Sequence, residues 1–285
     1  MNKKTIKKTL ENKLIKWTDS ITDKSLAKEV LNNSIVTGGC IASMLLNEQV
    51  NDYDIYIADR DVLYKLMKYY GNGHDILDGN KKDYLLNGIE DTKSGYKISV
   101  ENLEKDQLKY YIYEGGKTYI EKNEEVEPGS YKVAYLSPNA ISLTDKIQIV
   151  VRFHGDPKEI HTNYDFVHAT NYFTIKDGLV LNDKALASLL TKTLYYTGSK
   201  YPITSIIRMK KFLKRGFNIN AGEIFKMVYQ SSLLDLRDPK VLEEQLIGVD
   251  IAYFFQLIEA LRNIEDENKL TETYIFKIID KIFNE

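Results

Sequence analysis

Between Ser34 and Leu181 the apolar residues fall in short β-rich runs. These are Ile35-Val36-Thr37, Asp54-Ile55-Tyr56-Ile57, Lys97-Ile98-Ser99-Val100, Tyr110 to Tyr113, Tyr131 to Tyr135, Ile147 to Phe153 and Phe166 to Phe173. Gly71-Asn72-Gly73, Gly115-Gly116, Pro128-Gly129 and Asp177-Gly178 punctuate them as turns. Helical spacing intervenes at 40–48, 60–70 and 156–161. After Asn182 the period changes. Ala185, Leu186, Leu189, Leu190, Thr193 and Leu194 share one helical face, and similar stripes follow at 203–214, 221–230, 240–247, 250–263 and 272–283. The pattern predicts an α+β head over 1–182 and an all-helical region over 183–285. At the N-terminus, Ile6, Leu10, Leu14 and Ile15 among six lysines predict a basic amphipathic helix docked on its own domain.

The chain has 285 residues, 43% hydrophobic and 28% charged, enough for a substantial core and unlike a disordered or collagenous sequence. No apolar run approaches the ~20 residues that span a bilayer, so no membrane association is expected. A lone cysteine, Cys40, excludes an internal disulfide and a cysteine-based zinc cluster, and makes a reducing, cytoplasmic location the default. The net charge of −2 conceals opposed blocks. Residues 101–130 and 235–285 are acidic. Residues 184–222 contain no Asp or Glu but eight bases: Lys184, Lys192, Lys200, Arg208, Lys210, Lys211, Lys214 and Arg215. A basic neck of this kind suits a phosphate-rich substrate, and equally a solvated helix face balanced by acidic neighbours.

The stretch that carries chemistry runs from Ile35 to Ile57. A predicted strand leads into Gly38-Gly39, which open a helix, and the next strand begins with Asp52-Tyr53-Asp54. Glycines at a helix start let backbone N–H groups hold a phosphate. Residues i and i+2 of a strand point the same way, so Asp52 and Asp54 would present two carboxylates on one face. Together they suit a magnesium ion carrying a nucleoside triphosphate. His154, His161 and His168 lack the spacing of a tetrahedral zinc site, and there is neither a Gly-x-Ser-x-Gly elbow nor a Walker-type loop.

This block resembles the head of the DNA polymerase β nucleotidyltransferase superfamily, and within it the tRNA nucleotidyltransferase and poly(A) polymerase branch. Gly38, Gly39, Leu45, Leu46, Asp52, Asp54 and Ile55 match that branch's motif, whereas Ala42 and Ser43 stand where it has Arg-Asp. Asn163-Tyr164-Asp165-Phe166, followed by Asp177-Gly178-Leu179-Val180, is similar to its Arg-Arg-Asp-Phe block, with both arginines replaced. Arg208 to Ile219 echoes its basic neck helix, and Glu259 and Arg262 lie where it keeps a base-selecting pair.

The resemblance implies a nucleotidyltransferase head with a mixed sheet. It also implies Mg²⁺ as cofactor, one or two ions with Mn²⁺ able to substitute, held by Asp52, Asp54 and Asp165. Asp165 fills the role of third acid or of nucleotide contact, or else caps a turn. Gly38 and Gly39 would cradle phosphate, and Lys192, Arg208 and Lys211 would contact the nucleotide. The expected activity is transfer of NMP from an NTP to a hydroxyl, foremost an RNA 3′ end such as that of tRNA. Two alternatives stand beside it: a nucleotidyltransferase toxin or modifier acting on a protein or small molecule, and a decayed nucleotide- or RNA-binding module. Lysine-rich heads of this kind also resemble phage-encoded nucleotidyltransferases, for which the location would be the host cytoplasm.

Overall fold

The computed structural model describes residues 1–71, 73–79, 106–112, 116–120, 127, 129–236 and 238, with isolated helical positions at 241, 245, 273, 276, 277 and 280. The predicted strand at 97–100, most of the stripes at 240–247, 250–263 and 272–283, and the Glu259–Arg262 pair lie outside the described residues. Two compact units emerge, one of residues 1–164 with 168–191 and one of residues 165–167 with 192–285.

The first unit is built on α1 (Lys3–Asp19), α2 (Lys24–Asn33), β1 (Ser34–Thr37), α3 (Gly39–Leu45), β2 (Tyr53–Ile57) and α4 (Arg60–Tyr70). Then come β3 (Ile76–Asp78), β4 (Leu108–Tyr110), β5 (Lys117–Thr118), β6 (Val133–Leu136), β7 (Ala140–Leu143), β8 (Ile147–Val150) and α5 (Pro157–His161). It closes with β9 (Tyr172–Thr174), β10 (Gly178–Val180) and α6 (Asp183–Thr191). Short polar side chains start the helices: Asn2, Asp23, Asp59 and Asp156 each accept first-turn N–H groups. At α5, Asp156 and Glu159 form a reciprocal capping box with Pro157 as the first helical residue.

Among the described residues eight strands form one sheet in the order β10-β9-β1-β2-β8-β7-β6-β5. Every pairing is antiparallel except β2 with β8, which makes the sheet mixed. Strand alternation sends Val36, Ile55, Ile57, Ile147 and Ile149 to one face, where α1, α2, α3 and α4 close the main core. Helix α1 contributes Ile6, Leu10, Leu14 and Trp17, all fully buried, whereas Ile15, expected on the same face, is exposed one position off the stripe. The Trp17 indole N–H donates to the Tyr70 hydroxyl (3.1 Å), tying α1 to α4. Among the described residues of this unit, the opposite face is thinly covered. There Ile35 and Tyr56 meet Ile160 of α5, with Val150, Phe153, Tyr164 and Tyr172 at the margin.

The run 166–173 is not one strand. Only its end enters β9, and Val167–Ala169 form a 3₁₀ turn. Its main chain is engaged elsewhere: the Gly38 N–H donates to the Ala169 carbonyl (3.2 Å), and the Val167 N–H to that of Tyr195 (3.1 Å).

The second unit holds β11 (Thr193–Leu194), α7 (Pro202–Lys214), β12 (Asn218–Ile219) and α8 (Ala221–Ser232). Besides the expected helices it contains a short parallel pair, β11 with β12, bridged by α7. Phe166 packs edge-on against Tyr196 and Phe212, at centroid distances of 5.8 and 5.7 Å. Among the described residues no helix is long and apolar enough to cross a membrane.

Because Leu14 is fully buried between α1 and the sheet, Leu14→Ala should lower unfolding free energy by about 2–5 kcal/mol. Urea denaturation followed by circular dichroism measures this, and an unchanged midpoint would show that α1 is not part of the core.

Candidate functional site

The edge of the thinly covered face is organised around the turn from β1 into α3. In register, Thr37 of β1 faces Asp54 of β2, and Asp54 faces Gln148 of β8. Asp54 shares its strand face with Tyr56, away from the main core. It is half-buried, whereas Asp52, just before β2, is exposed.

Gly38 is buried with φ 84°, a left-handed value that favours glycine. A Cβ there would lie 3.1 Å from Asp54 Oδ2 and 3.3 Å from the Tyr164 hydroxyl. The missing side chain is therefore what lets the Asp54 carboxylate close on the turn. Gly39 is exposed, and a Cβ on it would meet nothing within 4 Å. The first N–H groups of α3 have no intrahelical partner, so this side of the turn can approach an anionic ligand. Both acids act on the same place: burial pushes the Cys40 thiol up, and the carboxylates of Asp54 and Asp52 push it further.

A polar network anchors the turn from behind. The Thr37 hydroxyl donates to the Asn171 carbonyl (2.8 Å) and lies 2.8 Å from His161 Nε2. A carbonyl only accepts, so the single Thr37 proton goes to Asn171 and Nε2–H of His161 donates to Thr37. Burial lowers the His161 imidazole from 6.5 to about 4, which keeps it neutral near pH 7. His161 is flanked by the Tyr164 ring at 5.1 Å and the Tyr172 ring at 6.0 Å. Burial raises the Tyr164 phenol well above the ordinary tyrosine range, with Tyr56 and Asp54 adding to the effect.

The remaining residues singled out by sequence lie in the second unit. Asp165 is buried there, and its Oδ2 accepts from Arg208 Nη1 of α7 at 3.0 Å. The Asp165 carbonyl accepts from the Thr197 N–H at 2.9 Å. Lys192 has a left-handed backbone (φ 47°), and its Nζ donates to the Arg215 carbonyl at 3.3 Å. Lys211 is exposed on α7. The structure thus brings Gly38 and Gly39 together with Asp52 and Asp54 in one unit, and Asp165 together with Arg208 in the other. Sequence reasoning missed Thr37 and the donor role of His161. The two are 124 positions apart, and no spacing rule links them.

Among the described residues no group of three or more His, Cys, Asp or Glu side chains is arranged to hold a metal ion. Two carboxylates beside an open backbone turn fit Mg²⁺ in a different way. This ion keeps several non-protein ligands and is commonly held by one or two carboxylates plus substrate phosphates.

Two outcomes follow from this geometry. Gly38→Ala should cost about 1–3 kcal/mol of stability, because φ 84° with ψ −147° is a backbone conformation almost confined to glycine, while Gly39→Ala should stay within about 1 kcal/mol of wild type; urea titrations of the pair test the contrast. His161 is held neutral in the fold, so between pH 6.5 and about 4 the unfolded chain binds a proton that the folded one does not. Its contribution to stability is complete above pH 6.5 and fades as pH falls toward 4. Thermal midpoints across that range should show the loss, and His161→Gln should remove that component of the slope.

No curated protein matches the chain in sequence. Among solved structures it is similar to a tRNA-processing enzyme with CTP, at 12% identity and TM-score 0.39 over 90% of this chain and 57% of that one. It is also similar to the Thermotoga maritima CCA-adding enzyme complexed with tRNA, at 12% identity and TM-score 0.40 over 96% of this chain and 50% of that one. A third is the Bacillus stearothermophilus CCA-adding enzyme in complex with CTP, at 11% identity and TM-score 0.36 over 80% and 47%. The chain spans about half the length of these proteins. The match to a family is of another order: Gad2, the Gabija anti-defense 2 family protein, matches residues 8–192. That range is well over half of the chain and runs from within α1 to the end of α6, taking in the Gly38–Gly39 turn and both Asp52 and Asp54. The chain belongs to the Gabija anti-defense 2 family.

Proposed function

We propose that the first unit is a nucleotidyltransferase that moves NMP from an NTP to a hydroxyl acceptor. One observation carries this reading: the Asp54 carboxylate closes on the Gly38 backbone, 3.1 Å from where a Cβ would stand, beside an open Gly39 and one residue removed from Asp52. An acid pair and a turn able to approach phosphate occupy one place.

In this reading, the N–H groups opening α3 hold the triphosphate at Gly38 and Gly39. Asp52 and Asp54 hold the metal that accompanies it. When bound, Mg²⁺ or Mn²⁺ supplies neutralisation of phosphate charge and lowers the pKa of the attacking hydroxyl. The acceptor hydroxyl attacks the α-phosphorus in line, its proton passes to solvent water, and the bond to the departing pyrophosphate breaks. Asp54, half-buried against Gly38, presents one carboxylate from the strand, while exposed Asp52 adjusts as the metal–nucleotide arrives. Asp165 is the third acid in this reading, and because Mg²⁺ usually keeps substrate phosphates among its ligands, metal and NTP should bind together.

The acceptor implied by the sequence resemblance is an RNA 3′ end, and the basic run 184–222 supports a phosphate-rich partner. A second reading is favoured by the family: the acceptor is a hydroxyl on a component of the Gabija defence, so that transfer counters that defence.

Asp52→Ala and Asp54→Ala should each abolish incorporation of α-labelled nucleotide while keeping the wild-type circular dichroism spectrum. Parallel incubations with RNA and with Gabija components separate the two acceptors. Undiminished labelling by the double variant would remove the site assignment, and absence of labelling by the wild type with every acceptor and NTP would remove the activity.

A further inference from the structure

The turn joining β7 to β8 contains two successive non-glycine residues in the left-handed region, Asp145 (φ 56°) and Lys146 (φ 64°). Side chains disfavour this conformation, and such strain persists where the surroundings over-determine it. Here those surroundings are the residues around Asp52. The Lys146 carbonyl accepts from the Tyr53 N–H at 2.7 Å, and Lys146 Nζ donates to the Val50 carbonyl at 2.9 Å. One residue therefore grips the chain on both sides of Asn51 and Asp52.

Its neighbour fastens the turn to α1. Lys13 Nζ lies 2.7 Å from the Asp145 carboxylate and 2.8 Å from the Asp145 carbonyl. The same ammonium stands 5.0 Å over the ring of Tyr53, the residue between the two acids, and 5.6 Å over that of Tyr131. Tyr53 is thus held through its N–H by the turn and through its ring by α1. Glycine at 146 would take the backbone conformation more readily and still offer its carbonyl, but it could not reach Val50. The lysine side chain is what that glycine would lack.

We propose that Lys146 is a positioning residue for the Asp52–Asp54 pair, its ammonium and carbonyl together setting the entry of the chain into β2. The purpose of this clamp rests on the nucleotidyl-transfer reading, whereas its mechanical role does not.

The test uses Lys146→Gly and Lys146→Arg in the full chain. Amide hydrogen exchange over residues 47–53 reads the clamp, thermal unfolding reads stability, and calorimetry with Mg²⁺ and ATP, GTP, CTP or UTP reads the site. Lys146→Gly should exchange faster over 47–53 alone, with a melting temperature at or above wild type. Its affinity for the metal–nucleotide should fall about 10-fold, in line with residues that orient metal ligands. Lys146→Arg, which keeps a long cationic donor, should restore both. Unchanged exchange over 47–53 would overturn the proposal, as would a melting temperature that falls with loss of protection throughout the unit. If the wild type binds no metal–nucleotide, the nucleotidyl-transfer reading fails, and the exchange arm still decides the clamp.

Discussion

The antiparallel pairing of β1 with β2 is the constraint on which the site depends. With Thr37 opposite Asp54 and Val36 opposite Ile55, the two-residue period of the strands divides the residues cleanly. Val36, Ile55 and Ile57 enter the main core. Thr37 and Asp54 go to the other face, at the end where β1 turns into α3. A slip of one residue would bury Asp54 in the main core and expose Ile55, at the cost of an uncompensated buried carboxylate. Core and acid site are two consequences of a single register.

Around that pairing the protein is unevenly covered. Among the described residues of this unit, four helices close one face, and the five-residue α5 with a few aromatic residues covers part of the other. On that second face polar groups are held by specific bonds, as at Thr37, His161 and Asn171. A buried neutral imidazole donating to a hydroxyl gives a fixed direction to the chain just before Gly38. Precision at the turn comes from hydrogen bonding, and stability of the unit comes from the opposite face.

Asp165 matches a motif and also makes contacts within its own unit. In the second unit its carboxylate meets Arg208 while its carbonyl accepts from Thr197. Such a pair, half-shielded from water, orders α7 against the segment that begins that unit. Breaking it removes a charge-assisted hydrogen bond worth about 1.5–3 kcal/mol when well shielded, and less here because the Arg208 side chain is 39% exposed. The expectation that Arg208 contacts a nucleotide rests on the sequence resemblance, and the ion pair is the contact the structure itself contains.

Local pattern was enough for much of the architecture. The period of Ile6, Leu10 and Leu14 specified α1 and most of its buried face, although Ile15, read into the same stripe, is exposed, and helical spacing over 60–70 specified α4. Gly38-Gly39 followed by Asp52 and Asp54 marked the candidate site, because glycine and paired carboxylates at that spacing have few other uses. Tertiary structure alone decided the rest. Strand β7 is four residues long and follows Pro138-Asn139, too short to show a period. The run 166–173 reads as one strand by composition, yet its N–H and C=O groups are claimed by distant partners. Thr37 with His161, and Lys146 with Val50, are contacts across 124 and 96 positions. Hydrogen bonds of that kind depend on where the sheet brings two chain segments together, and no local preference of either residue encodes the meeting.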